Sequence, residues 1–262
     1  MKLDLAGRTA VVTGASRGIG LEITRALVRE GMAVAAGALN GSAELRELAD
    51  DSDVLVVLDD LTTVAGCQAL IDQAVARFGG IDLLVNNVGG VRPRTDGFAA
   101  VSDADWQWSL EVNLFSAVRA TRAAVPHLRE RAPSAIVTIC SVNAALPDPG
   151  VIDYSAAKAA LRSLCKSLSK ELGPAGIRVN TISPGPVETA LWLGQGGVAE
   201  TVGAAKGLDP AAVRAAAVGG TPTGRFTRPA EVAQLVLLLA SETAGNVTGA
   251  DVVIDGGMVT TV

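Results

Sequence analysis

The segment Arg8-Thr-Ala-Val-Val-Thr13 runs directly into Gly14-Ala-Ser-Arg-Gly18-Ile-Gly20, and no other stretch limits so tightly what this chain can fold into. The first part is short and apolar and reads as a buried β-strand. From about Gly18 to Glu30 the apolar residues Ile19, Ile23, Ala26 and Leu27 recur at helical spacing. Strand, glycine turn and helix in this order make a dinucleotide-binding unit. The N–H groups that open such a helix can hold a pyrophosphate, and the glycines let the main chain approach it. The spacing is Gly-x-x-x-Gly-x-Gly, not Gly-x-Gly-x-x-Gly, so on this segment alone a purely structural turn stays open.

The alternation continues along the chain. Strand candidates lie near residues 8–13, 32–37, 54–58, 81–86, 135–140, 177–182 and 251–255, and helical patterns at about 18–30, 42–50, 63–78, 103–131, 153–172 and 229–241. Continuous apolar strands such as Val54-Leu-Val-Val-Leu58 imply burial on both faces, hence a parallel sheet covered by helices. The expected fold is a single α/β domain over residues 1–262, a doubly wound parallel sheet flanked by helices. Connections are short except from Gly185 to Arg228, which is rich in Gly and Ala and shows no strand. A connection that long in a compact domain is usually functional, so 185–228 reads as a substrate loop or lid.

Charge removes several classes of function. With 22 Lys and Arg against 27 Asp and Glu the net charge is −5, which argues against a nucleic-acid-binding surface. No basic segment with a following apolar run opens the chain, and no run of 18 apolar residues occurs, so a cytoplasmic protein without membrane contact is expected. Cys67, Cys140 and Cys165 are odd in number and lack Cys-x-x-Cys spacing, which indicates neither a disulfide framework nor a zinc site. His127 is the only histidine and reads as the end of a surface helix. No metal is expected.

Tyr154-Ser-Ala-Ala-Lys158 carries the chemistry. A Tyr four residues before a Lys shares its helical face, and a phenol beside an ammonium is a proton donor and acceptor. The nearby charge is expected to pull the Tyr154 pKa down from about 10. Ser141 lies thirteen residues earlier, at the end of the apolar run Ala135-Ile-Val-Thr-Ile139, and Asn113 lies in a helical segment before that.

Taken together, these residues resemble the short-chain dehydrogenase/reductase family, and the resemblance spans nearly the whole chain. It rests on Thr13-Gly14-Ala-Ser-Arg-Gly18-Ile-Gly20, Asn86-Asn87-Val88-Gly89, Asn113, Ser141, Tyr154 with Lys158, and Pro184-Gly185. Two positions depart from the family pattern: Val88 stands where Ala is usual, and Cys140 where a Ser commonly precedes the catalytic Ser.

The resemblance implies a Rossmann-type fold and hydride transfer between a nicotinamide and a carbonyl or carbinol carbon. Tyr154 would be the general acid in reduction and the base in oxidation. Lys158 would lower the Tyr154 pKa and hold the ribose hydroxyls, Ser141 would hydrogen-bond the substrate oxygen, and Asn113 would position a water linking Lys158 to solvent. The cofactor would lie against Thr13, Gly14, Ser16, Arg17, Gly18, Ile19, Gly20, Asp60, Leu61, Asn87, Val88, Gly89, Tyr154, Lys158, Pro184, Gly185, Val187 and Thr189. Within that set Asp60 would contact the adenine and Thr189 the carboxamide, with Asn86 beside the adenosine.

Cofactor choice turns on the end of the second strand. A carboxylate there would bind the adenine ribose and repel a 2′-phosphate, but Ala38 or Leu39 occupies that place. Arg17 offers a charge-assisted contact to a 2′-phosphate, with Asn40 and Ser42 as helpers, so NADP is favoured and NAD remains possible. The leading reading is an NADP(H)-dependent carbonyl reductase, of which the 3-oxoacyl type is one form. An NAD-dependent alcohol dehydrogenase and a catalytically silent nucleotide sensor are the alternatives. Ser141, Tyr154 and Trp192 would meet the substrate, with Leu191, Leu193 and Val198 as an apolar wall, and Arg92 and Arg94 are placed to attract an anionic carrier.

In the helix after Tyr154, the residues Leu161, Leu164, Cys165, Leu168 and Leu172 form one apolar stripe, and Leu110, Leu114, Val118 and Val125 form another on the helix before it. Relatives pack these helices against symmetry mates and pair the segment Val252–Met258 across another axis. A homotetramer is the expected assembly.

Overall fold

A computed structural model describes residues 2–260. Seven strands carry the fold: β1 (Thr9–Thr13), β2 (Ala33–Ala38), β3 (Val54–Leu58), β4 (Leu83–Asn86), β5 (Ser134–Ile139), β6 (Ile177–Pro184) and β7 (Asp251–Ile254). They pair in the order β3-β2-β1-β4-β5-β6-β7, every pair parallel. The chain order reverses between β1 and β4, and sheets of this kind bind ligands at such a switch point, beyond the carboxyl ends of the strands.

Both faces of the sheet are buried because alternate strand residues feed two different cores. Val12, Val34, Val85 and Val137 point to one side, against Ile23 and Leu27 of α1 (Gly18–Arg29), Leu45 of α2 (Ala43–Asp50), and Val232, Val236 and Leu237 of α10 (Pro229–Ala240). Val11, Ala35, Leu84, Ile136 and Val179 point to the other. There they meet Leu70 and Ile71 of α3 (Val64–Phe78), Ala120, Ala124 and Leu128 of α5 (Ser116–Glu130), and Leu161 and Leu172 of α6 (Ile152–Leu172). Continuous apolar strands between two helical layers are the doubly wound arrangement expected from the sequence.

Local signals set the helix ends. Ser42 and Thr63 cap α2 and α3 by accepting from Leu45 N and Gly66 N at 3.1 and 2.9 Å, and Gly79 closes α3 at φ 77°. A capping box of Ser102 and Asp105 opens α4 (Asp103–Leu110).

The helix expected over 103–131 runs from Asp103 to Glu130, α4 continuing into α5 through an internal π-turn. Between α4 and α5 the residues Glu111–Phe115 form a π-helical turn. Two side chains there compete for main-chain carbonyls: Asn113 Nδ2 donates to Ser109 O at 3.0 Å and Ser116 Oγ to Val112 O at 2.7 Å. The long connection after Gly185 contains three helices, α7 (Ala190–Leu193), α8 (Val198–Lys206) and α9 (Pro210–Gly219). Its two ends are tied by a parallel bridge between Val187 and Thr227.

Candidate active site

The glycine turn is built for close approach. Gly14 and Gly18 have φ of 69° and 56°, in the left-handed region that favours glycine. A Cβ on Gly20 would stand 2.2 Å from Gly14 O, and one on Gly18 would stand 3.3 Å from Thr189 Cγ2. The turn is braced from β4: Asn87 Nδ2 donates to Thr13 O and Gly14 O, both at 3.0 Å. Asn87 N and Val88 N donate to Thr13 Oγ1 at 2.9 and 3.3 Å. No side chain caps α1, so its first N–H groups face the turn without a side-chain partner. The donor set and the missing Cβ atoms fit a pyrophosphate at this helix end. Ser16, Arg17 and Ile19 lie in the same turn, with Arg17 exposed.

Ser141 follows β5, and Tyr154 and Lys158 lie on the first turns of α6. Lys158 Nζ donates to Ile139 O at 3.0 Å and stands 5.7 Å from the centre of the Tyr154 ring. Gly89 brings the loop after β4 against it: a Cβ there would be 3.5 Å from Lys158 Nζ and 3.2 Å from Asn113 Oδ1. The Asn113 amide is committed to the main chain. Its Oδ1 accepts from Gly90 N at 3.0 Å, and its Nδ2 donates to Gly90 O at 2.8 Å as well as to Ser109 O. Asn113 therefore fixes the loop that carries Gly89 beside Lys158.

The electrostatics correct one expectation. Burial pushes the Tyr154 phenol up to about 12, and the neighbouring Ser141 hydroxyl only partly offsets it. Burial also pulls the Lys158 ammonium below its usual range. Desolvation of both groups outweighs the attraction assumed from their spacing. Ser141 Oγ accepts from Asn143 N and donates to Asn143 Oδ1, both at 3.2 Å. Asn143 was not singled out in the sequence, where a Ser-x-Asn run carries no distinctive signal.

At the end of β2, Ala15 N donates to Gly37 O at 3.0 Å, tying the glycine turn to this strand. Leu39 is exposed, and no carboxylate stands beside it in sequence. Ser42 Oγ is spent as an acceptor in its cap, which leaves its proton uncommitted. Arg46 joins this corner, its Nη2 3.4 Å from the place a Gly41 Cβ would take. Its position one helical turn after the Ser42 cap was the signal available in the sequence.

Other expected residues are placed as follows. Asp60 is exposed, and its Oδ1 accepts from Thr62 N and Oγ1 at 2.9 and 2.6 Å, which holds its carboxyl below the usual range. Leu61 is buried near Gly37. Asn86 is not beside the glycine turn: it points into the α5 side, its Nδ2 donating to Thr121 and Thr138, because the strand alternation sends Asn86 and Asn87 to opposite faces. Pro184 and Gly185 end β6, and Gly185 N donates to Ile254 O at 3.0 Å. Thr189 sits where α7 begins without capping it. Trp192 packs edge-on against Phe226, ring centres 5.7 Å apart.

Arg94 is not available to a carrier, because it is enclosed in ion pairs with Asp105 and Asp153. Arg92 stays exposed, stacked 3.7 Å over the Trp108 ring. His127 ends α5 near Glu130. The three cysteines are free and buried, and burial raises each thiol above its usual range. Among the described residues no group of three or more His, Cys, Asp or Glu is placed to hold a metal, and no helix is long and apolar enough to cross a membrane. A depression of about 380 Å³ borders the site, lined by Asn143, Pro147, Ile152, Ser155, Ala156 and Ala159. A larger one of about 450 Å³, between Gly31, Asp53, Arg77 and Phe78, opens at the other end of the strands, away from every residue of the site.

Comparison with known proteins agrees with this geometry. The family described as enoyl-(acyl carrier protein) reductase matches residues 14–259. The chain is 36% identical over 260 residues to a 3-alpha-(or 20-beta)-hydroxysteroid dehydrogenase of Mycobacterium tuberculosis, covering 97% of this chain and 90% of that protein. It is 32% identical over 262 residues to a 3-oxoacyl-[acyl-carrier-protein] reductase of Thermotoga maritima, covering 98% and 100%. Among solved structures, L-sorbose reductase from Gluconobacter frateurii complexed with NADPH and L-sorbose superposes with a TM-score of 0.91 at 32% identity, covering all of both chains.

Proposed function

The chain belongs to the short-chain dehydrogenase/reductase family, and on that premise we propose that it is an NADP(H)-dependent oxidoreductase interconverting a ketone and a secondary alcohol. The observation that carries this reading is the convergence of an uncapped α1, the glycine turn and the Ser141, Tyr154, Lys158 group at one edge of the sheet. The NADPH complex of the similar sorbose reductase supports the cofactor choice, as does the absence of a carboxylate from Gly37 to Ser42.

Bound NADPH supplies the hydride. As the carbonyl oxygen gains charge, the Tyr154 hydroxyl gives it a proton, and Ser141 Oγ–H turns from Asn143 Oδ1 to donate to the same oxygen. The carbonyl becomes a carbinol and Tyr154 is left as phenolate, stabilised by the Lys158 ammonium until a proton returns from solvent. Asn113 holds Gly89 and Gly90 so that Lys158 keeps its place, and a water near it completes the path. In oxidation the same groups act in reverse, with Tyr154 as base.

The carbon frame of the substrate is apolar on this account. Leu146 and Leu191 are exposed, Trp192 is pinned by Phe226, and Arg94 offers no free charge. We place the protein in the cytoplasm as a closed homotetramer. The stripe of α6 is spent on its own core, but Ala156, Ala159 and Ala160 lie exposed along its outer face, and Val253 is exposed on the edge strand β7. Light scattering at micromolar concentration should exceed the 26.5 kDa of one chain, and a monomer would contradict this assembly.

A panel of an alicyclic ketone, a 3-oxosteroid, a 3-oxoacyl thioester and a ketose, followed by nicotinamide absorbance with each cofactor, tests the function. Consumption of NADPH with at least one ketone, favoured over NADH by about tenfold or 1.4 kcal/mol, is expected. Preference for NADH would reassign the cofactor, and no turnover with any member would overturn the reading.

A further inference from the structure

The loop that leaves β4 is held at two points. Asn113 clamps Gly90, and four residues later Arg94 is drawn into the protein. Arg94 Nε and Nη2 donate to the two carboxylate oxygens of Asp153 at 3.2 and 2.6 Å, and Nη1 donates to Asp105 Oδ1 at 2.9 Å. The Arg94 backbone N–H donates to Gly150 O at 2.7 Å. The side chains of Arg94 and Asp153 are only 10% and 2% exposed. Asp105 belongs to the capping box of α4, whose Ser109 carbonyl receives Asn113, and Asp153 lies in the first turn of α6 immediately before Tyr154.

Burying such charges is costly, and apolar residues of similar size would often close the same space at less cost. A two-point guanidinium–carboxylate fork supplies something apolar contacts lack, because it fixes orientation as well as distance. We propose that the Arg94–Asp153 fork is a positioning element for Tyr154: it sets the rotation of the first turn of α6 and so aims the phenol at Ser141. Arg94 acts through Asp153 and touches neither substrate nor cofactor. The inference rests on Tyr154 being the proton donor of the previous section, but the aim of the phenol is measurable without turnover.

Tyr154 is the only tyrosine of the chain, so phenolate absorbance reports on it alone. The double variant Arg94→Met/Asp153→Leu removes both charges together and keeps the space filled. It should melt near the wild-type temperature, bind NADPH with a dissociation constant within roughly twofold, and lose roughly ten- to hundredfold in kcat, as expected for an ångström-scale misplacement. Its phenol should ionise nearer the free value of about 10 than the wild-type phenol does. Should the double variant not fold, Arg94→Lys serves instead, keeping the charge and losing the fork, with a kcat loss of roughly fivefold or more and the same direction of phenol shift. Wild-type kcat with wild-type phenol titration in either folded variant overturns the proposal. Should the wild type reduce no ketone, the proposed function fails by itself and the titration decides this point: a shifted phenol supports the positioning role, and an unchanged one overturns it.

Discussion

Lys158 Nζ stands 5.7 Å from the centre of the Tyr154 ring while donating to the carbonyl oxygen of Ile139. The lysine is therefore held by the sheet end, and its charge does not make Tyr154 acidic in the free protein. The phenol, pushed up to about 12, should stay protonated through the ordinary working range and be ready to act as an acid. The sign for stability follows. Below the unfolded phenol's pKa of about 10 both states are neutral and Tyr154 adds no pH dependence. Between about 10 and 12 the unfolded chain ionises and the folded one does not, so stability should fall as pH rises. Phenolate absorbance in folded, cofactor-free protein should be absent up to about pH 10. A phenolate appearing near neutral pH would show that Lys158 dominates burial.

Ser141 and Asn143 share one proton. Ser141→Ala should cost roughly a hundredfold or more in kcat, as removal of an oxyanion donor does. Asn143→Ala removes only the resting partner of the Ser141 hydroxyl and should change kcat by less than tenfold, in line with about 1 kcal/mol for one hydrogen bond. If Ser141→Ala lost only a few fold, Ser141 would be a structural cap.

Gly20→Ala tests the cradle. The added methyl would meet Gly14 O at 2.2 Å, a backbone atom that gives way only if the turn opens. The variant should lose about 1 to 3 kcal/mol of stability and bind both nicotinamide cofactors at least tenfold more weakly. Wild-type affinity measured by fluorescence titration would separate this turn from cofactor binding.

Arg17 and Arg46 are the two arginines proposed to meet the 2′-phosphate. Arg17→Ala should raise the NADPH dissociation constant roughly tenfold or more, from loss of a charge-assisted hydrogen bond, and leave that of NADH nearly unchanged. Arg46, also exposed, should contribute a few fold, within the roughly 0.2 to 1 kcal/mol of a surface ion pair. Equal effects on both cofactors would place Arg17 at the shared pyrophosphate.

The doubly wound sheet was legible because its strands, such as Val54–Leu58, are apolar without alternation, and because Gly14, Gly18 and Gly20 punctuate the first strand and helix at fixed places. Interactions between distant residues were not legible. The π-turn at Asn113 comes from a side chain that bonds the backbone of Ser109 and Gly90. The helices between Gly185 and Arg228 were masked by glycines, although Asp209-Pro210 and Gly207 are ordinary start and stop signals. Arg94 read as a surface charge since nothing in its neighbourhood along the chain announces Asp153, and the Tyr154 pKa depends on burial that spacing alone does not report.

Tyr154→Phe deletes the transferable proton and keeps the ring, so it isolates the proton donor from the shape of the site. With a ketone that the wild type reduces, nicotinamide absorbance should show turnover abolished, while fluorescence titration shows NADPH binding within roughly twofold of wild type, as expected when a general acid alone is lost. Turnover at the wild-type rate in this variant would contradict the account, since no other tyrosine exists in the chain to take over the proton.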